Sequence, residues 1–553
     1  MAKDLIHIQM QEWFVLDPHN SILAILTNAG SIDLYIPNGL DYKFILCLSD
    51  VLEEKYVQEK VIMKSKDINK LSGMCMKVLS SAFCWGPKSQ INEPIINQYF
   101  ITAQRDGDIL FWNLEFTKDI SATIQAKLCS ILEGENEEII NLKCLEQEHD
   151  SFILICSLLY GKLIAYSCKV IKNEVVVLKN DLLWDCDDKM PIKYLLYYEI
   201  NGKIVLVYNK HRHVVTQLLD LELNTLDINV KNINDDKIVG LVDINGKYVV
   251  GTYLCELFVV NLNICDSKLK LDYQQIQMNN LVPSQYFLNG FDVSRNKLLF
   301  ALNMSTRKVE ARKLVKKLKI YILYFGENDQ KEINVLLNNP TQKLTYMSDC
   351  IELLKFKANM FKLIPDINYD TLWYESHDNI YKLKIYLILI ILYNNRVLYS
   401  SNKDKFVLPE TSVEKIMDTI FMRHSVDVLK FFLNMYKEGG SLTESQKEVY
   451  YGCKFKLEDF CKKYNRQINN IFIDELDQKI KLEYTCQCCD KKLEGFSCKD
   501  NHLNQFCSVT FTPITSESYL VCTACSSTAS YKLKSEQLSC TLCDLPFIDK
   551  ILW

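Results

Sequence analysis

The last 70 residues of this chain hold nine of its 22 cysteines, and their spacing restricts that end to folds built around metal ions. Cys486-Gln-Cys-Cys489 is followed by Cys498-Lys-Asp-Asn-His502 and Cys507, then by Cys522-Thr-Ala-Cys525 and Cys540-Thr-Leu-Cys543. A Cys-x-x-Cys turn brings two thiolates onto one ion at about 2.3 Å, and zinc takes four such ligands in a tetrahedron. Cys486, Cys489, Cys498, His502, Cys507, Cys522, Cys525, Cys540 and Cys543 make nine candidates for the eight places of two closed sites. Either His502 or Cys507 is left over. Four ligand groups in a row permit a cross-brace as well as successive ribbons. Without metal, so many thiols in a segment of little apolar mass would stay unfolded; structural zinc supplies on the order of 10 kcal/mol to such a fold. A catalytic zinc keeps a position open for water and favours His or carboxylate ligands, so this mostly cysteine set points to two structural ions.

The 13 cysteines before Cys486 show no pairing pattern. They read as small buried hydrophobes in a reducing compartment, not as a disulfide framework. A chain of 553 residues is too long for one ordinary core, and 48% hydrophobic with 24% charged residues is the balance of a folded protein. The net charge of -5 lacks the basic bias of a protein that grips duplex DNA alone, so a nucleic-acid role would be mainly indirect, shared with partners. Met1-Ala-Lys-Asp-Leu5 has no signal-peptide pattern. The longest apolar stretch, Ile385 to Tyr393, is nine residues, whereas a membrane helix needs about 20. No membrane and no small-molecule substrate are expected.

Over residues 1–330 short apolar strand pairs recur around polar turns. Ile22 to Leu26 and Ile32 to Ile36 flank Asn28-Ala-Gly30; Tyr99 to Ala103 and Ile109 to Trp112 flank Arg105-Asp-Gly107. Phe152 to Cys156 and Leu163 to Tyr166 flank Gly161. Ile204 to Tyr208 pairs with Val214 to Leu218, Tyr248 to Thr252 with Leu257 to Val260, and Leu298 to Leu302 with Val309 to Leu314. The turns fall near 30, 107, 161, 211, 255 and 306, a spacing that suits four-stranded propeller blades. Asp106-Gly-Asp-Ile-Leu-Phe-Trp112 is the best match to a WD-type blade ending, with Phe83-Cys-Trp85 on its inner strand. With Lys319 to Phe325 as a closing strand, the expectation is a WD40-like β-propeller of seven blades. The charged stretch from Glu53 to Lys70 reads as a surface insertion.

From 331 to 480 the pattern turns helical. Val413, Ile416, Met417, Ile420 and Phe421 follow the spacing of one apolar helix face, with Thr411 and Glu414 as a capping box at its start. Thr443 and Gln446 form a second box after Gly439-Gly440. Ile385 to Tyr393, apolar on all sides, belongs inside this helical spacer. The basic run Arg307, Lys308, Arg312, Lys313, Lys316, Lys317 and Lys319 reads as the solvated face of edge strands or as a phosphate or nuclear-import patch. The expected organisation is thus multidomain β plus α: propeller at 1–330, helical segment at 331–480, and a small zinc-finger domain at 481–553.

The run Cys486-x-x-Cys489, Cys498-x3-His502-x4-Cys507-Ser-Val-Thr510, Pro513-Ile514 and Cys522-x-x-Cys525 resembles the C-terminal zinc finger of a subunit of RNA polymerase III transcription factor IIIC. That family also carries a WD-type propeller ahead of the finger. The resemblance departs at Asn501 and Phe506, where the family commonly has Gly and Arg; neither is a ligand. It implies a nuclear, non-catalytic scaffold acting at genes for transfer RNA and 5S RNA. Its implied partners are the other factor subunits, above all a second WD-propeller subunit, with recruitment of the TATA-binding protein and initiation machinery. An acetyltransferase activity attributed to animal members has no acetyl-CoA signature here. Nor is there a catalytic triad, P-loop or dinucleotide fingerprint. Two other readings compete: a RING-type ubiquitin ligase, and a propeller, helical and zinc subunit of a membrane-tethering or lysosomal signalling complex. Four residues between His502 and Cys507 are too many for a RING, and the helical segment is short for a tethering solenoid.

Overall fold

Uninterrupted apolar runs such as Phe152-Ile-Leu-Ile-Cys156 become strands covered on both faces, because neighbouring sheets pack against each side. The chain divides into two units, Met1–Phe325 and Gly326–Trp553. The computed structural model describes residues 7–15, 21–38, 41–58, 68–88, 95–117, 124–134, 136–147, 150–172, 174–233, 236–244, 246–265, 268–276, 286–294, 296–306 and 318–324 of the first; in the second it describes 336, 344–347, 349–351, 380–388, 390–391, 410–438, 440–466, 484–486, 488–494, 497–500, 502, 504–514, 518–522, 524–536 and 539–550.

The first unit is a β-propeller. Its antiparallel sheets span 8–47, 80–132, 139–184, 195–232, 238–276 and 286–324, and are called blades 1 to 6 here. Blades 1 to 5 have four strands in chain order, and blade 6 has three. The first strands of successive blades approach one another, as Ile8–Val15 does Ser80–Lys88 and Ser80–Lys88 does Ile139–Glu146, so they are innermost. The second strands are sandwiched. In Lys203–Lys210 of blade 4, Ile204, Leu206 and Tyr208 join a cluster with blade 3, while Val205 and Val207 join one with blade 5. The period of two along a strand thus supplies both neighbours at once.

The expected hairpins of blades 1 to 5 are all present, as strands two and three of each blade. In blade 6 the expected Val309 to Leu314 strand and the basic run from Arg307 to Lys317 lie outside the described residues. Leu318–Tyr324, most of the Lys319 to Phe325 stretch expected as a closing strand, pairs with Leu299–Thr306 as the third strand of blade 6. The described residues therefore account for six blade sheets. Glycine is scarce because other residues take its turn position. Gly107 ends its turn at φ +99° and donates its N–H to Gln104 O at 3.0 Å; Cys255 does the same in blade 5 at φ +68°, to Thr252 O at 3.0 Å.

The charged stretch read as a surface insertion is partly structural. Helix α1 (Leu48–Gln58) buries Leu48, Leu52 and Tyr56 in the core shared by blades 1 and 2, and α2 (Ile68–Val78) leads into blade 2. Residues 59–67 lie outside the described residues.

In the second unit, α3 (Glu410–Lys437) and α4 (Glu444–Tyr464) pack through Leu429, Phe432, Tyr450, Cys453 and Leu457. The Thr443 box forms as expected: its hydroxyl accepts from Gln446 N and the Gln446 side chain accepts from Thr443 N. α3 already begins at Glu410, so Thr411 lies within the first turn and not ahead of it. Residues 380–388 and 390–391 of the apolar stretch region are helical, with Ile385, Leu387, Ile388 and Ile390 buried. The helical and cysteine-rich segments, divided at 480 by the sequence, belong to one compact unit.

A polar tie joins blades 3 and 4. Lys210, its side chain only 4% exposed, reaches Asp188 at 2.8 Å and donates to Gly161 O at 2.5 Å. Lys210→Met leaves the part-exposed Asp188 carboxylate with only Trp184 Nε1 and the Met190 N–H as donors, frees the Gly161 carbonyl of its partner, and should lower stability by about 1–3 kcal/mol. Urea denaturation followed by tryptophan emission reads the loss; a change within experimental error would show that this pair does not hold the blades.

Candidate metal centres

Four short turns of one design make up the cysteine-rich segment. In each, the N–H of the residue four after a cysteine returns to that cysteine's carbonyl: Asp490 to Cys486 at 2.9 Å, Phe511 to Cys507 at 2.8 Å, Ser526 to Cys522 at 2.9 Å and Asp544 to Cys540 at 2.8 Å. The returning residues sit at φ 55°, 53°, 60° and 57°, which curls the chain around the sulfur. The residue before each cysteine bridges the one six after it, as Thr485 to Lys492, Phe506 to Pro513, Val521 to Thr528 and Ser539 to Pro546. In three turns the fourth residue is a second cysteine. In the turn at Cys507 it is Thr510, whose N–H points at Cys507 Sγ at 3.4 Å.

The side chains converge in two groups of four. Cys486, Cys489, Cys498 and His502 bring their ligand atoms within 4.8 Å of one another, and so do Cys522, Cys525, Cys540 and Cys543. Adjacent groups in sequence are thereby joined, one and two, then three and four, and the arrangement is not a cross-brace. His502 presents Nδ1, at 3.7 Å from Cys486 Sγ and 3.5 Å from Cys498 Sγ. Cys489 and Cys498 sulfurs are 3.6 Å apart; Cys522 and Cys543 are 3.3 Å apart, and Cys525 and Cys540 3.4 Å. Four ligands at about 2.0–2.3 Å from a tetrahedral centre lie roughly 3.5–3.8 Å apart, so both sets are near the span that a zinc-sized ion requires.

Cys507, a ninth candidate in the sequence, belongs to neither set. It is fully buried with Ile514, Leu520 and Ala529, and its half-knuckle docks on the helices. Phe511 enters the α3–α4 core, His424 Nε2 donates to Val509 O at 2.7 Å, and Gly452 faces Thr510 O. Burial holds the His424 imidazole below its ordinary pKa, consistent with a neutral ring in this contact. The sequence signal for this fourth turn was Cys507-Ser-Val-Thr510 before Pro513, a knuckle with one cysteine replaced.

Local donors surround the sulfurs. Burial by itself raises the Cys486 thiol, but the Asn504 amide and the N–H groups of Cys488 and Cys489 outweigh it and bring it to about 6. Ser527 Oγ lies 3.1 Å from Cys525 Sγ and 3.0 Å from Cys540 Sγ. In the second set, hydrogen bonds from Cys525, Cys540 and Cys543 depress Cys522, while Cys540 and Cys543, bonded to Cys522, are pushed up. Four sulfurs this close cannot all ionise unless a cation offsets the repulsion, and a bound dication does so. Both clusters could therefore bind metal ions.

Gly452 lies close against the Cys507 turn: a Cβ there would collide with the Thr510 carbonyl. Gly452→Ala should destabilise the second unit by about 1–3 kcal/mol through overpacking. Thermal denaturation checks it, and an unchanged midpoint would mean that the helices do not clamp this turn.

Among the described residues no helix is long and apolar enough to cross a membrane. A family model described as the transcription factor IIIC subunit delta beta-propeller domain matches residues 16–321, more than half of the chain. No curated protein sequence matches significantly. Solved structures similar to this chain include the beta-propeller domain of Nup133 from Vanderwaltozyma polyspora, with 12% identity, 50% of this chain and 72% of that one covered, and a TM-score of 0.31. The WD40 domain of SCAP from fission yeast has 10% identity, covers 58% and 77%, and scores 0.30. Sqt1 of Saccharomyces cerevisiae has 11% identity, covers 55% and 72%, and scores 0.33. At these scores the likenesses carry no weight for function.

Proposed function

Because the chain belongs to the transcription factor IIIC subunit delta beta-propeller family, we propose that it is a non-catalytic scaffold of RNA polymerase III transcription factor IIIC. The observation that carries the reading is the family match over 16–321, which coincides with the propeller unit. In this role the blades present surfaces to other subunits of the factor, among them a second WD-propeller subunit. The assembled factor at transfer RNA and 5S RNA genes then recruits the initiation machinery, including the TATA-binding protein, and contact with DNA is mainly indirect. In this role the protein acts in the nucleus, as the family match to a transcription factor supports.

The cysteine-rich segment serves this role as a rigid docking element held by two structural zinc ions. Cys486, Cys489, Cys498 and His502 would hold one, and Cys522, Cys525, Cys540 and Cys543 the other. The donor chemistry supports zinc: soft thiolates with one imidazole, in closed sets of four. Bound zinc would supply charge neutralisation and cross-linking. Neither set keeps a position for water, which is the reason to give these ions no catalytic part.

Metal analysis of the purified chain should find two zinc ions. Cys540→Ser should leave one, and Cys507→Ala should leave two. A total of one or none in the unaltered chain, or loss of an ion from Cys507→Ala, would overturn the ligand assignment.

Affinity purification from nuclear extract should recover other transcription factor IIIC subunits, and fractionation should place the chain with chromatin. Consistent absence of those subunits, with recovery on vacuolar or endosomal membranes, would sink the scaffold reading in favour of a tether.

A further inference from the structure

Of the nine cysteines in the last 70 residues, seven belong to the two metal sets, and Cys488 and Cys507 belong to neither. Cys507 is buried, whereas Cys488 is exposed. Cys488 sits inside the first knuckle, between the ligand candidates Cys486 and Cys489. Its N–H points at Cys486 Sγ at 3.4 Å, and its thiol hydrogen-bonds to the same sulfur. A free, accessible thiol is thus in contact with a ligand sulfur whose own residue is buried.

Beside the second set stands Ser527 instead. Its Oγ lies 3.1 Å from Cys525 Sγ and 3.0 Å from Cys540 Sγ, and a hydroxyl cannot enter a disulfide. The two sets therefore differ in their chemistry toward oxidants. Residues two apart along a chain are separated by at most about 7 Å. A disulfide spans about 4.4–6.8 Å between Cα atoms, so Cys486 and Cys488 can be joined without a large movement of the backbone.

A peroxide supplies the two-electron oxidant. One sulfur of the pair takes an oxygen atom and becomes a sulfenic acid; the other attacks that sulfur, the S–S bond forms and the S–O bond breaks. Two thiols and one hydrogen peroxide give one disulfide and two waters, with one proton drawn from solvent where Cys486 starts as a thiolate. A disulfide sulfur is no longer a thiolate ligand. Cys489, Cys498 and His502 would then be left as three ligands where a closed site needs four. Thiol reductants reverse the bond.

We propose that Cys488 is an oxidation site that governs the first metal set: peroxide joins it to Cys486, and the set gives up its ion. This rests on the reading that Cys486, Cys489, Cys498 and His502 hold zinc.

The test exposes the zinc-loaded full-length chain to hydrogen peroxide. A chelating dye follows released zinc, and differential alkylation with mass spectrometry follows each cysteine. The unaltered chain should release one of its two ions while Cys486 and Cys488 become blocked until reduced. Cys522, Cys525, Cys540 and Cys543 should keep the other ion. Cys488→Ser should start with both ions and release the first about tenfold more slowly. Cys186→Ser, which removes another exposed cysteine, should behave as the unaltered chain. Fewer than two ions before peroxide is added would overturn the zinc reading and this proposal with it. Two ions at the start, followed by equal release from Cys488→Ser, by first release from the second set, or by release with Cys486 and Cys488 still open to alkylation, would overturn this proposal alone.

Discussion

Burial of each blade's second strand between two neighbouring sheets is the constraint on which the propeller unit depends. Phe100 of blade 2 faces blade 1, while Tyr99 and Ile101 face blade 3; Ile153 and Ile155 of blade 3 face blade 4, while Phe152 and Leu154 face blade 2. Val249 and Val250 divide in the same way between blades 6 and 4. A blade taken alone would expose one or both of these faces, so adjacent blades stabilise each other. The arrangement also releases the innermost strands from forming the core. They can carry Glu12, Lys143, Glu146 and Glu199 around a central cavity without disturbing the apolar contacts behind them.

The second unit works by a different economy of forces. Its cysteine-rich segment has only small apolar clusters, such as Cys507, Ile514, Leu520 and Ala529. Backbone hydrogen bonds shape each knuckle, and four sulfur or imidazole ligands meet only where two ligand groups face each other. Crowded thiols resist joint ionisation, so the fold and a cation bound there would support each other. The Cys507 turn keeps the knuckle backbone but has Thr510 in the second ligand place. Its role is packing: Phe511 fills the gap between α3 and α4, and the carbonyls of Val509 and Thr510 face His424 and Gly452.

Much of this was legible in the chain, and the gaps have physical causes. Middle strands such as Ile204 to Tyr208 read as unbroken apolar runs because both their faces are covered. Outer strands were missed: Thr225–Asn232 is mostly exposed, and no periodic burial demand marks it. α1 was taken for a surface insertion because its charges outnumber the three residues, Leu48, Leu52 and Tyr56, that anchor it. Leu318–Tyr324 was identified as a strand but not its partner, since pairing across a long connection leaves no local trace.

The sequence by itself determined the candidate ligands, the strand-rich and helical regions, and the family, because residue type and short-range spacing carry them. Cys-x-x-Cys spacing forces two sulfurs to one side of a turn whatever surrounds it. Which turns face each other is a long-range matter, and only the tertiary structure decided it. There His502 joins the first cluster, Cys507 turns into the protein core, and the two sets form in succession along the chain. The same holds for the cavity among the first strands. Glu12, Trp85, Lys143 and Glu199 are distant in sequence and unremarkable one by one, and they meet because the packing of successive blades brings the first strands of four blades around one space.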